Sequence, residues 1–131
     1  MKTLFLLFSH RLTEAQEADA RQNWGVKKVR YLPEELQKKW SNVPPDLEDL
    51  TEYLQPFESW LEASADRGDL ILVQGDFGAT YQMIRWSMKR GLIPLYATTR
   101  REVVEEKGPD GEVHTLKVFR HARFRKFARK K

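Results

Sequence analysis

A chain of 131 residues fits one domain, and that size buries about two thirds of its unfolded surface, enough for a core without staples. Hydrophobic residues at 40% and charged residues at 32% exclude wholesale disorder, no apolar run reaches the length of a membrane span, and the absence of cysteine excludes disulfides, thiolate metal sites and a cysteine nucleophile. The net charge of +4 hides an asymmetry: Lys117 to Lys131 holds eight Lys or Arg and no acid, leaving 15 bases against 19 acids before it.

Thr3 to Phe8 is a short continuous apolar run and predicts a strand buried on both faces. The start has some look of a signal peptide, but its apolar stretch is only Leu4 to Phe8 and no small-residue cleavage site follows, so a cytoplasmic protein is expected. Thr13 and Gln16 have capping-box spacing, and Gly25 closes the helix they start. Val26 to Leu32 is a weaker strand. Pro33 suits the first residue of a short helix with Leu32, Leu36 and Trp40 on one side.

Asn42-Val43-Pro44-Pro45 is a rigid turn, and Leu47, Leu50, Leu54, Phe57 and Leu61 then form a helical stripe in which Pro56 forces a kink or restart. Leu70 to Val73 is a second buried strand. Gly75 to Gly78 turns the chain, Ala79 to Arg90 reads as a helix, and Leu92 to Ala97 as a third strand. Arg101 to Glu106 and Glu112 to Val118 flank Gly108-Pro109-Asp110-Gly111 as a hairpin. This order describes a single α/β domain over residues 1–131 with a mainly parallel sheet, a C-terminal hairpin and a basic segment at 117–131.

In open α/β sheets ligands bind beyond the carboxyl ends of the parallel strands. That rule selects Ser9-His10-Arg11, Gln74 to Tyr81 and Ala97 to Arg101 before any motif is considered. Gly75 and Gly78 allow a backbone to approach a ligand closely, and the following helix aims N–H groups at an anion. Gln74, Gly75, Asp76, Phe77, Gly78 and Thr80 are therefore binding candidates, against a plain strand-to-helix turn capped by Asp76 or Thr80. The segment is neither a P-loop nor a dinucleotide fingerprint. Thr98, Thr99, Arg100 and Arg101 offer hydroxyls and guanidiniums suited to phosphate, or an exposed hairpin start pairing with Glu102, Glu105 or Glu106.

His10 is the acid–base candidate, with Ser9 and Arg11 beside it. His121 lies among interleaved aromatic and basic residues, a pattern that stacks on bases while holding phosphates. The same spacing also packs Phe119, Phe124 and Phe127 into the core. His114 reads as surface, the four tryptophans (Trp24, Trp40, Trp60, Trp86) as core. No histidine or acidic spacing suggests a metal, no serine-hydrolase elbow is present, and no cofactor is expected.

Leu6-Leu7-Phe8-Ser9-His10, Trp40-Ser41-Asn42-Val43-Pro44-Pro45, Leu72 to Tyr81 and Tyr96-Ala97-Thr98-Thr99-Arg100 together resemble the small CRISPR-associated accessory proteins of type III systems. That group includes ring nucleases acting on cyclic oligoadenylates. The resemblance covers nearly the whole chain and implies a Rossmann-like homodimer, akin to cyclic-oligoadenylate sensor domains. A two-fold ring such as cyclic tetra-adenylate would then sit across the dimer axis. It implies metal-independent cleavage by the ribose 2′-OH, leaving a 2′,3′-cyclic phosphate and switching off the antiviral signal. Ser9, His10 and Arg100 take catalytic roles by position and chemistry, and the other candidates take binding roles. Two rivals stand beside it: a protein that sequesters the ring uncut, and an RNA-binding module using the basic C-terminus.

Overall fold

The computed structural model describes residues 2–128. Its strands are β1 (Lys2–Leu7), β2 (Val26–Arg30), β3 (Leu70–Val73), β4 (Ile93–Lys107) and β5 (Val113–Lys126); its helices are α1 (Glu14–Trp24), α2 (Glu34–Ser41), α3 (Thr51–Ser64) and α4 (Phe77–Lys89). They form a mixed α/β domain around one five-stranded sheet of order β2-β1-β3-β4-β5. The β1–β2, β1–β3 and β3–β4 pairs are parallel, and β4 and β5 are antiparallel.

Alternation divides the core. Leu4, Leu6, Leu70, Leu72, Leu95 and Phe124 face one layer with Ala20 of α1, whereas Phe5, Leu7, Ile71 and Val73 face the other with Trp40, Leu54, Phe57, Leu61 and Met83. Both faces of β1 and β3 are covered, which is why these strands read as unbroken apolar runs. Helix α1 carries the expected capping box: Gln16 N–H donates to Thr13 Oγ1 at 3.1 Å and Thr13 N–H to Gln16 Oε1 at 2.9 Å. Gly25 closes it at φ 68°, a left-handed conformation that favours glycine.

Several boundaries differ from the sequence reading. Pro33 caps α2 rather than opening it, and β2 stops at Arg30. Pro56 lies inside a continuous α3, and Leu47 is outside the helix and 44% exposed, so the stripe starts at Leu50. Helix α4 begins at Phe77, two residues early, because Asp76 rather than a later residue caps it.

The largest correction concerns the C-terminal third. The apolar strand at Leu92 to Ala97 and the first hairpin arm are one strand, β4, and the basic residues Lys117 to Lys126 form its antiparallel partner rather than a separate end. Arg129 to Lys131 lie outside the described residues. Phe124 is buried, but Phe119 is 66% exposed and joins no core. From Tyr96 outward β5 is the only strand among the described residues paired with β4, so the pair continues as a two-stranded ribbon past the rest of the sheet. No helix among the described residues is long and apolar enough to cross a membrane.

Candidate functional site

The chain leaves β1 toward β2 on one side and passes from β3 to β4 on the other, so strand order reverses between β1 and β3. The carboxyl ends of those strands are level, with Leu7 opposite Val73. Ser9-His10-Arg11 and Gln74-Gly75-Asp76 therefore stand at the switch point, where α/β sheets bind ligands.

Gln74 is held from three directions. Its N–H donates to Leu7 O at 3.0 Å, its carbonyl accepts from Trp40 Nε1 at 2.9 Å, and its side-chain oxygen accepts from Ala97 N–H at 2.7 Å. It is thus a clamp between β3 and β4. Gly75 is explained by Trp40: a Cβ there would lie 2.7 Å from Nε1 and 2.9 Å from Cε2 of the indole. Gly78 has room, its nearest neighbours being Asp76 Oδ2 at 3.4 Å and Leu50 Cδ1 at 3.6 Å.

Asp76 Oδ2 accepts from Ala79 N–H at 3.0 Å, so the helix start holds a carboxylate of its own. With the Thr80 N–H on the Asp76 carbonyl at 2.8 Å, the first turn of α4 is left with the N–H groups of Phe77 and Gly78 for an anion. Phe77 is 95% exposed, and Tyr81, one turn on, is 59% exposed. The Thr80 hydroxyl is buried without a hydrogen-bond partner among the described residues.

Ser9, His10 and Arg11 are exposed and line a cleft of about 320 Å³ with Tyr31, Leu32, Glu34 and Gln37. The Arg11 guanidinium lies 4.3 Å over the Tyr31 ring, and Tyr31 Oη accepts from Leu12 N–H at 3.2 Å. The His10 ring meets Phe8 edge-on at 5.4 Å. Asp76 and Gly78 line a different cleft, about 450 Å³, with Leu50, Asp49 and Gln82. Asp49 there has its pKa lowered by hydrogen bonds from the Thr51 hydroxyl and N–H.

Thr98 to Arg101 line neither cleft and are not at a strand end, because β4 runs on to Lys107. Thr98 Oγ1 is engaged, donating to Arg123 O at 2.8 Å and accepting from Arg123 N–H at 3.2 Å. Opposed residues of an antiparallel pair share a face and neighbours alternate. Arg100 accordingly shares a face with Arg120, and Arg101 shares the other with Phe119. The two arginines cannot both reach one phosphate, as a strand-end loop would have allowed.

His121 is also placed elsewhere. It turns to α1, where its Nε2 meets Asp19 Oδ2 at 2.7 Å, with the two side chains only 6% and 9% exposed. Asp19 Oδ2 also accepts from Phe124 N–H at 2.9 Å and its Oδ1 from Asn23 Nδ2 at 2.8 Å. Burial would raise the Asp19 pKa, but these hydrogen bonds and the charge of His121 outweigh it and leave the pKa lowered. The pair adjoins a cleft of about 510 Å³ that includes Gln22, Asn23 and Arg123. His121 thus anchors the edge strand to α1 instead of joining the switch-point residues. Asp19 carried no signal in the sequence, since its partner lies 102 positions away.

At the ribbon tip Asp110, Glu112 and His114 each bring one potential ligand atom within 4.8 Å of the others, all exposed. His114 is exposed, as its place in the hairpin implies, and no metal-ligand spacing marks the three in the sequence, because a turn rather than a helix face gathers them.

The model of the family described as "Uncharacterized protein MJ1673 family" matches residues 2–125. A similar protein is "Uncharacterized protein MJ1673" of Methanocaldococcus jannaschii, 48% identical over 127 residues, which covers 97% of this chain and 98% of that one. No solved structure matches. The match spans every strand and helix that builds the switch point, and the chain belongs to the MJ1673 family.

Proposed function

We propose that the chain is a Rossmann-like, cytoplasmic CRISPR ring nuclease of type III systems that binds cyclic oligoadenylate, cyclic tetra-adenylate above all, as a homodimer at the switch point. The observation that carries this reading is Phe77. A phenylalanine left 95% exposed at a helix start, beside the carboxyl ends of β1 and β3, offers a face on which an adenine stacks. The N–H groups of Phe77 and Gly78 then lie within the same turn to receive a phosphate oxygen. Arg100 is on the ribbon face away from α1, so it is the arginine that can add charge there, while Arg101 is turned to the α1 side.

The substrate carries its own nucleophile. A ribose 2′-oxygen attacks the adjacent phosphorus, the bond to the 5′-oxygen breaks, and a 2′,3′-cyclic phosphate remains. His10 takes the 2′-OH proton or supplies one to the leaving 5′-oxygen, and Ser9 hydrogen-bonds a phosphate oxygen. Alignment of the hydroxyl with the bond that breaks supplies much of the rate. Arg100 stabilises the charge that develops on the phosphorane.

The test is incubation with cyclic tetra- and hexa-adenylate in EDTA, followed by chromatography of the products. Linear products ending in 2′,3′-cyclic phosphate are expected, with the rate reduced at least tenfold in His10→Ala and binding reduced in Phe77→Ala. An intact ring retained by the protein would leave a sequestering function. The absence of both binding and cleavage would overturn the reading. The exposed His10, with no side chain among the described residues hydrogen-bonded to it to fix its tautomer, is the feature that favours sequestration as the second reading.

A further inference from the structure

We infer that the face of the β4–β5 ribbon turned toward α1, with the cleft at its base, binds single-stranded nucleic acid. Beyond Thr99 and His121 this face sets Arg101 opposite Phe119, Val103 opposite Lys117, Glu105 opposite Thr115 and Lys107 opposite Val113. Its apolar members are the most exposed of the ribbon: Phe119 at 66%, Val103 at 63% and Val113 at 60%. Apolar side chains held on an uncovered surface mark a contact site.

Charge selects the ligand. Arg101, Lys107 and Lys117 stand against Glu105 alone, whereas from Arg100 outward the opposite face balances Arg100 and Arg120 with Glu102 and Glu106. Among the described residues none of those three cations forms a salt bridge. A second copy of this face is repelled by the first, and a polyanion is attracted to it. Phe119 narrows the choice, because it offers a ring on which a base stacks, with the Arg101 guanidinium directly across for the adjoining phosphate.

The interleaved segment Phe119-Arg120-His121 is divided by the fold. Arg120 is held by Glu102 on the other face and His121 by Asp19, so Phe119 is the member left open. At the inner end of the face lies the cleft of about 510 Å³. Helix α1 gives it Ala15, Ala18 and Gln22, one stripe at helical spacing, and Arg123 adds a cation. Asp19, the acid among its lining residues, is buried with both oxygens hydrogen-bonded and presents no open charge. The carboxamides of Gln22 and Asn23 are groups that read the edge of an unpaired base.

From His121 to Val113 the track runs roughly 27 Å at ordinary strand rise. A duplex turns no base face to Phe119 and sends no unpaired base into the cleft, so the ligand is a single strand. The inference uses nothing of the switch-point reading, since Arg100 and Phe77 lie off this face.

Fluorescence anisotropy reads the outcome, with the full chain titrated into a labelled oligouridylate of about 12 nucleotides. The same titration is made with oligodeoxythymidylate and with the RNA annealed into a duplex. The single strand is expected to bind, with a log–log salt slope of about −2 for three phosphate contacts. Phe119→Ala and Lys117→Glu should each weaken binding about tenfold, and Phe119→Trp should retain it. Phe77→Ala should leave it unchanged, which separates this surface from the switch point. Equal affinity for the DNA strand supports the same surface and extends its ligand to both. No binding at low salt overturns the inference, as does a duplex bound as tightly as the single strand. Binding indifferent to both Phe119→Ala and Lys117→Glu also overturns it. So does capture of anionic phospholipid vesicles in place of the oligonucleotide.

Discussion

The two glycines of the β3–α4 turn look alike in sequence and differ in what their neighbours demand. A methyl group on Gly75 would enter the Trp40 indole, whose Nε1 is already committed to the Gln74 carbonyl at 2.9 Å, so the ring cannot withdraw without breaking that bond. Gly75→Ala is therefore expected to cost about 1–3 kcal/mol in urea unfolding, the range for overpacking a core. Gly78 is inside the first turn of α4 with only ordinary contacts around a Cβ. Gly78→Ala should gain roughly 0.5–1 kcal/mol, because alanine loses less backbone freedom than glycine in a helix. If Gly78→Ala stabilises the fold and also abolishes ligand binding, the glycine is there for close approach of the ligand; if binding is unaffected, Phe77 alone defines the contact.

Among the elements, the strands and the first helix were legible because their signals are local. An unbroken apolar run such as Leu4 to Leu7 has no solvated face to offer, and the Thr13–Gln16 box closes within one turn. The ribbon's length was not legible: Arg101 to Glu106 reads as a hairpin arm, but Thr98 to Arg100 reads as a loop at a strand end, and nothing local says that β4 runs unbroken from Ile93 to Lys107 with β5 beside it throughout. That misreading moved the arginines: a loop lets Arg100 and Arg101 converge, and a strand sends them to opposite faces. Cyclic tetra-adenylate affinity measured for the two alanine variants should consequently be unequal, with Arg100→Ala weakening binding about tenfold and Arg101→Ala having little effect. Equal losses would mean that the ligand wraps the ribbon edge and that the strand geometry does not divide the two residues.

For the molecule as a whole, the question is what keeps the edge strand on the body. Among the described residues β5 has no strand on its outer side, and α1 is the helix that grips it, through Asp19 to His121 and to the Phe124 N–H. Removing one partner from a buried cluster of this kind leaves donors unsatisfied, so Asp19→Asn should cost about 2–3 kcal/mol at neutral pH. The pH dependence follows from the lowered pKa of Asp19, which binds its proton less readily folded than unfolded. Its contribution is therefore complete above the ordinary carboxylate pKa of 3.8 and is lost as pH falls through the still lower folded value. Urea unfolding of wild type and Asp19→Asn across acid pH should show the gap between them closing below the ordinary carboxylate range, because protonated Asp19 no longer differs from asparagine in charge. A gap that stayed constant down to strongly acid pH would assign the loss to packing around residue 19. A closing gap would make the carboxylate charge the tie that holds the ribbon's base, and with it Thr98 to Arg101, beside the switch point.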